Sequence, residues 1–370
     1  MTRNAAGLPV DIGCGWLHSA DRNPWTRLAT SLGFSVDKSE PAWGRQFRNL
    51  GFTATEQEEA KSAFDCFDQR LRKRTPPSDR ASDALDPLCP WNAYLEARSG
   101  FMNGAALNQV SIADYLSYER SDTGVNWRVP EGYGTLIESA GSGLPVMLST
   151  PIVGVCHGRS PIKVATNRGD LKARMVILAV PTTMIASEQL RFDPSLPAKK
   201  DAAAALPLGL ADKLFLSLEK PEELEPDSHL LGNPNEPQSG SYFLRPFGRP
   251  LIEAFFGGKG AAALEATGGG AMAEFAIEQL CALLGSSFRR RVHSVAGSAW
   301  AHHPFIEGAY SHACPGQAEA RAVLAAMVDD RLFFAGEACS EQDFSTAHGA
   351  YSSGVSAAEG ALEALARMKK

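Results

Sequence analysis

Two short stretches hold most of the residues that could do chemistry. Near the C-terminus, FFAGEACSEQDFSTAHGAYSSG runs from Phe333 to Gly354. An apolar, strand-like run there meets Gly336, where a missing side chain lets backbone approach a ligand closely. Ser345-Thr346-Ala347-His348-Gly349-Ala350 then opens a helix of small residues. Its free N–H groups and partial positive charge suit an anion or an electron-rich carbonyl. The same glycines and alanines also suit close packing of helix on sheet. At the other end, DIGCGWLHS, Asp11 to Ser19, is a strand end that breaks into a Gly-rich turn with an aromatic behind it.

Other constellations imitate sites without the spacing that would make them work. Gly258-Lys259-Gly260-Ala261-Ala262-Ala263 follows the strand-like LIEAFF and copies a G-x-G-x-x-A turn. Yet Thr267-Gly268-Gly269-Gly270 interrupts the helix that should follow, and the acid expected about 20 residues on falls inside helical AMAEFAIEQL. His302, His303, His312 and Cys314 fit no familiar zinc spacing, and His303-Pro304 reads as a turn. The sequence has no G-x-S-x-G, H-E-x-x-H or G-x-x-x-x-G-K-[ST], so hydrolase and nucleotidase chemistry has no residues to act through.

The elements that must position these stretches fall into three textures. Residues 24–127 read as mainly helical. TATEQEEAKSAFDCFDQRLRKR, from Thr53, carries a capping box with Glu56, acids in its first turn and bases in its last, and TPPSDR closes it. From about Val129, PIVGVCHG, IKVATNRGD and ARMVILAVP read as a small sheet with hairpin turns. ADKLFLSLEK is a strand, PEELEPDSHLLGNPNEPQSG a loop, SYFLRPFGRPLIEAFFGG strands, AMAEFAIEQLCALLG a helix and RRRVHSVAGSAW a strand. The last segment is the strand DDRLFFAGE followed by a helix from about Thr346 to Met368. The alternation implies a discontinuous domain whose sheet the chain leaves and re-enters.

Composition narrows the class. The 370 residues are 44% hydrophobic, enough for a large core, and carry a formal net charge of −6. No Lys/Arg block exceeds the short Arg289-Arg290-Arg291 run, which argues against nucleic acid or an anionic membrane as partner. Seven scattered cysteines without a C-x-x-C point to a reducing compartment, and no apolar run approaches the ~20 residues of a membrane span. A cytoplasmic location is expected, with no metal; oligomeric state is not legible.

The stretch Leu332 to Ala358 resembles the C-terminal flavin-binding signature of the FAD-dependent amine oxidase family, which includes monoamine and polyamine oxidases. DIGCGWLHS resembles that family's N-terminal flavin-contact turn, especially the W-I-H-G form of animal polyamine oxidases. KVATNRGDLKARMVILAVP resembles its β-hairpin and strand ending in proline, PLGLADKLFLSLEKP the segment of its active-site lysine, and SAWAHHPFIEGAYSHACPG its W…G-x-Y segment beside the flavin. The five motifs run in the family's order over nearly the whole chain.

The resemblance implies an α/β flavoprotein with a Rossmann-like FAD/NAD(P)-binding fold and an inserted α+β substrate domain. The FAD domain would comprise 1–23, 128–187 and 304–370, and the substrate domain 24–127 and 188–303. Lys213 would hold a water against the flavin N5 nitrogen; on residues alone it is a surface lysine of an amphipathic strand. Trp300 and Tyr310 would flank the flavin and line the path of an amine, where core packing is the alternative. His18 would sit near the substrate nitrogen and tune its protonation, or be a loop histidine without a role. Gly13, Cys14, Gly15 and Trp16 would line the flavin, Ile152 meet the adenine, Gly336 and Glu337 contact the ribityl–pyrophosphate region, and Thr346 and Ala347 bring N–H groups to the pyrimidine end. Ala309 stands where monoamine oxidases carry the cysteine that bonds the flavin, so the FAD would be non-covalent.

The implied reaction is oxidation of a small-molecule amine to an imine by hydride transfer to FAD, with O2 reoxidation giving H2O2. A desaturase- or porphyrinogen-oxidase-like activity is the second enzyme reading. The family pattern also begins with a strand, G-x-G-x-x-G and helix, and Met1 falls where that pattern has already passed its G-G-R turn. The resemblance therefore implies an N-terminally truncated oxidase, and a cofactor-free, non-catalytic product is the third reading.

Overall fold

The apolar strand Ala211–Leu218 anchors the larger of two sheets. In this computed structural model, which describes residues 1–73 and 75–368, it is the fourth strand of five. The antiparallel order is Ser228–Leu231, Ser241–Leu244, Leu251–Gly257, Ala211–Leu218, Val292–Gly297. Alternation sends successive side chains to opposite faces. Leu214, Leu216 and Leu218 pack with Ile252, Phe256, Ile277 and Leu280 under the helix Ala271–Leu284. Phe215 faces the other way, onto Ala5, Val10, Ile12 and Trp300. Because both faces are covered, the strand is not amphipathic, and Lys213, at 8% exposure, is not a surface lysine.

That second cover is an N-terminal hairpin, Thr2–Ala5 paired with Leu8–Asp11. The sequence reading lacked it: its turn, Ala6-Gly7, has φ of 51° and 82° at the two central residues, and only the glycine is a usual turn signal. Arg249 fastens the hairpin to the sheet, donating to the carbonyls of Pro9 at 2.8 Å and Pro130 at 2.7 Å. Asp11, where the hairpin ends, accepts the N–H groups of Tyr133 and Gly134 at the start of the helix Tyr133–Gly141.

The second module centres on the parallel pair Val176–Leu178 and Leu332–Phe334. Beside it lies a four-stranded sheet in the order Gly169–Ala173, Ile162–Thr166, Ile152–Cys156, Arg191–Asp193. The helices Thr182–Ala186, Pro197–Ala205 and Ala320–Ala325 contribute to one core with these strands. The strand and helix spanning 191–205 therefore pack with the 128–187 and 304–370 segments. The C-terminal helix Ala347–Arg367 lays Ala357, Ala361 and Ala364 on Phe333.

The third module is helical. Ala54–Lys73, Asn92–Asn103 and Ile112–Ser121 enclose Phe67, Leu71, Leu95, Leu107 and Ile112. The Thr53–Glu56 capping box forms as expected, with Thr53 N–H donating to Glu56 at 2.7 Å. A second region departs from expectation, after the N-terminal hairpin: the Pro/Asn-rich loop contains the edge strand Ser228–Leu231, whose last three residues are buried. At the seam between this helical module and the large sheet, a Cβ on Gly257 would collide with the backbone of Gly100, so helix Asn92–Asn103 and strand Leu251–Gly257 meet through bare backbone.

Candidate active site

Three separate pieces of chain converge at Lys213. Its Nζ lies 2.8 Å from Glu253 Oε1, from the neighbouring strand, and 3.1 Å from the point where a Cβ on Gly15 would stand. A Cβ on Gly13 would stand 3.7 Å from the Trp300 ring, and the Trp300 indole N–H donates to the Ile12 carbonyl at 3.2 Å. The turn Gly13–Cys14–Gly15 thus runs between the lysine and the tryptophan. Burial works against the lysine's charge, but the Glu253 carboxylate, with Asp11 and Cys14 nearby, carries its pKa above the ordinary value. The result is a buried donor held in its charged form beside a glycine turn.

The loop bearing Trp300 is tied to the strand bearing Lys213. Lys213 N–H donates to Ser298 Oγ, and Ser298 N–H donates back to the Lys213 carbonyl, both at 2.9 Å. Tyr310 is held differently: its hydroxyl donates to the Phe101 carbonyl at 2.6 Å, and burial raises its pKa. Among the described residues the Tyr310 and Trp300 rings make no contact with each other; the Trp300 ring neighbours His303 at 6.0 Å. His18 Nδ1 lies 2.6 Å from Asn126 Oδ1, an acceptor, so the ring proton sits on Nδ1 and Nε2 is left as the basic atom. Burial lowers the His18 pKa and keeps the ring neutral near pH 7. Trp16 packs edge-on against Trp43 at 4.4 Å and Phe243 at 6.0 Å, with the Arg128 guanidinium over its ring.

The C-terminal stretch forms a second end. A cavity of about 200 Å³ is lined by Val180, Leu208, Ala309, Gly336, Glu337 and Cys339, among others. Gly336 has φ of 127°, and a Cβ there would meet nothing within 4 Å although Ala335 and Ala338 on either side are buried. This is an open cradle at a backbone position that disfavours a side chain. Glu337 does not offer its carboxylate to the cavity: it accepts Ser311 N–H at 3.1 Å, Ser311 O–H at 2.7 Å and Ser345 N–H at 2.7 Å. Thr346 caps the following helix, accepting Gly349 N–H at 3.0 Å, while the N–H groups of Ala347 and His348 find no acceptor among the described residues. A Gly cradle, a mostly apolar cavity and a helix N-terminus with two N–H groups to offer fit a large planar group with polar edges. Ile152 lies apart, 41% exposed at the start of its strand.

Behind this end stands a buried ion pair. Arg321 grips Asp114 through Nε at 2.6 Å and Nη2 at 2.8 Å, and passes a hydrogen bond from Nη1 to Ser311 Oγ at 2.9 Å. The connection Asp114–Arg321–Ser311–Glu337–Ser345 joins the helical module to the helix mouth. Of the histidines considered for zinc, His302 pairs with Glu265 at 2.6 Å, while burial pushes His312 down to about 4 and neither of its ring nitrogens has a hydrogen-bond partner among the described residues. Among the described residues no group of three or more His, Cys, Asp or Glu is arranged to hold a metal, and no helix is long and apolar enough to cross a membrane.

Residues 52–362 match the family model for flavin-containing amine oxidoreductases. The chain belongs to this family. Polyamine oxidase 2 of Arabidopsis thaliana is 31% identical over 95% of the chain and 78% of its own length. Polyamine oxidase 3 of Oryza sativa subsp. japonica is 25% identical, covering 95% and 79%. Cyclohexylamine oxidase from Brevibacterium oxydans IH-35A superposes with a TM-score of 0.77 at 17% identity, over 100% of this chain and 91% of its own. Wild-type putrescine oxidase bound to putrescine gives 0.73 at 18% identity, over 100% and 90%. Such identities speak for the fold: this amine oxidoreductase is an α/β flavoprotein and a flavin-dependent enzyme.

Several residues of the oxidoreductase site escape a reading of its sequence. Glu253 is the partner of Lys213, and its only signal is an acid lodged in the apolar run LIEAFF. Asp212, fully buried next to the lysine, carries no signal beyond its place in an apolar strand. Asp114 and Arg321 lie 207 positions apart, and nothing in either segment announces the other.

Proposed function

We propose that this oxidoreductase removes hydride from the C–H bond beside an amine nitrogen, giving an imine that water hydrolyses, with non-covalently held FAD as immediate oxidant and dioxygen as final acceptor, released as hydrogen peroxide. The observation that carries this reading is the convergence of Lys213, the Gly13–Gly15 turn and Trp300. When bound, FAD supplies the two-electron acceptor. Gly13, Cys14, Gly15, Trp16, Ile152, Gly336, Glu337, Thr346 and Ala347 are the residues that would hold it. The chain segments 1–23, 128–187 and 304–370 would form its domain, with 191–205 packed against them, and 24–127 with the rest of 188–303 the substrate domain.

Lys213, kept charged by Glu253, donates hydrogen bonds to a water in a place that excludes bulk solvent. The Trp300 face attracts an amine cation, and the neutral His18 takes its proton at Nε2, freeing the nitrogen lone pair. Tyr310, fixed through its hydroxyl, presents a second aromatic edge on the path in. Ala309 offers a methyl group with no sulfur to bond the cofactor. Aliphatic di- and polyamines are the first substrates to test, because the Trp16–His18 turn resembles the polyamine oxidase form and the relatives matched over 95% of the chain bear that name.

The test is spectroscopic and then chemical. The protein supplied with FAD should show the flavin absorbance band and release peroxide only when an amine is added. A colourless protein that ignores FAD would overturn the reading in favour of a non-catalytic one. A yellow protein that ignores amines but oxidises C–C bonds would favour the desaturase-like alternative.

A further inference from the structure

Asp212 precedes Lys213, and its side chain leaves the strand on the opposite face. It is 0% exposed. Its Oδ1 accepts Ser298 O–H at 2.7 Å and Trp300 N–H at 3.2 Å. Facing it is Glu265 of the helix Gly258–Thr267, whose Oε1 accepts Ala301 N–H at 3.2 Å and whose Oε2 lies 2.6 Å from His302 Nδ1. Of these four carboxyl oxygens, only Asp212 Oδ2 has no donor among the described residues. The two carboxyls stand on neighbouring N–H groups of one loop, Trp300 for Asp212 Oδ1 and Ala301 for Glu265 Oε1. A buried carboxylate oxygen without a donor, next to a second carboxyl, favours a proton on the pair, and Oδ2 is the oxygen with room for it.

We propose that Asp212 and Glu265 share one proton and through it act as paired positioning residues, setting the Ser298–His302 loop, and with it the Trp300 ring, against the Lys213 side of the site. The inference rests on the reading of Trp300 as part of an amine site. Four consecutive anchors hold the loop: Ser298 Oγ and Trp300 N–H on Asp212, Ala301 N–H and the His302 ring on Glu265. Ser298 uses one hydroxyl twice, accepting from Lys213 N–H while donating to Asp212. Loss of the shared proton would set a second buried negative charge against the first and loosen all four.

The surroundings favour titration in the working range. Burial and the adjacent Glu265 push Asp212 up to about 7, and Glu265, despite its burial, is held below its ordinary value by Asp212, His302 and Ala301. Glu265 and His302 are the titratable groups that face Asp212. Lys213 and Glu253 lie on the other face of the sheet, and Lys259 and His293 are exposed. Glu96 and Arg98, on the helix packed against Gly258–Thr267, turn to Leu107 N–H and the Phe64 ring. A carboxyl raised in this way contributes stability fully present below about pH 4 and lost as pH rises through about 7.

Asp212→Asn tests the pair, because its amide keeps an acceptor for Ser298 and Trp300 and donates to Glu265 without a titratable proton. Thermal unfolding of wild type and Asp212→Asn is followed from pH 5 to 9, with the Trp300 indole N–H signal assigned by its loss in Trp300→Phe. Between pH 5 and 8 the wild-type Tm should fall by several degrees relative to the variant, and its Trp300 signal should shift while the variant's stays still. Parallel Tm curves with a stationary Trp300 signal would overturn the proposal. Glu265→Gln, which donates from the other side, must show the same flattening and serves if Asp212→Asn does not fold. None of these readouts needs cofactor or amine, so a protein that oxidised no amine would remove the catalytic reading of Trp300 and leave the shared proton standing.

Discussion

Around Lys213, polar groups are bonded side to side: Glu253 to the lysine, Ser298 to its backbone in both directions, Asp212 and Glu265 to the loop behind. Around Gly336 the wall is mostly Leu, Ile, Val, Phe and Ala, and the polar groups stand one layer back, where Glu337 and Arg321 bond to the chain itself. The first end is built to fix a charge and a direction. The second is built to admit an apolar surface of set thickness, with a helix mouth at one edge. On the proposed function, chemistry belongs to the first end and grip to the second, and mutations should then separate the two.

The largest effect is expected from the wiring behind the Gly336 end. Asp114→Ala leaves Arg321 buried and unpaired, which should cost about 3–5 kcal/mol of folding stability in urea titration. If it costs under about 1 kcal/mol, the two ends are less distinct than their bonding suggests. Lys213→Met should next slow turnover or reoxidation by ~10²-fold or more, close to 3 kcal/mol of barrier, with flavin content unchanged. An unchanged rate removes Lys213 from the mechanism.

Glu253→Gln sharpens the first end further. Without the carboxylate that offsets burial, the lysine should lose its proton at lower pH, so the alkaline limb of the rate profile should move toward neutrality. A profile that stays in place would show that Asp11 alone keeps the lysine charged. The smallest effect is expected at Gly336→Ala: the cradle has room for a methyl, but the φ of 127° opposes it, at about 1 kcal/mol of stability. Flavin affinity should fall along with it, and calorimetric titration separates that loss from the first.

Both ends are legible in the sequence as motifs, and neither is legible as a network. The turn at Gly13–Gly15, the strand of Lys213 and the cap at Thr346 are local events, written in glycine, alternation and a hydroxyl three residues before the N–H it accepts. Glu253 becomes the partner of Lys213 only through register, which pairs Lys213 with Phe255 and Phe215 with Glu253 and so puts lysine and acid diagonally on one face. No local pattern carries that information. The Thr2–Ala5 hairpin and the Ser228–Leu231 strand escape for another reason: four residues are too few to display a period, and tertiary cover makes them strands.

The seam of Gly100 and Gly257 bears on Tyr310 from a distance. Phe101, which follows Gly100, supplies the carbonyl that holds the tyrosine hydroxyl. If Tyr310 lines the amine's path as proposed, the spacing between helix Asn92–Asn103 and the sheet is a gauge for the width of that path, cut by two absent methyl groups. An alanine at Gly257 would touch neither cofactor nor amine, yet it would reset that gauge, and a residue far from any motif would register as a change in which amines fit.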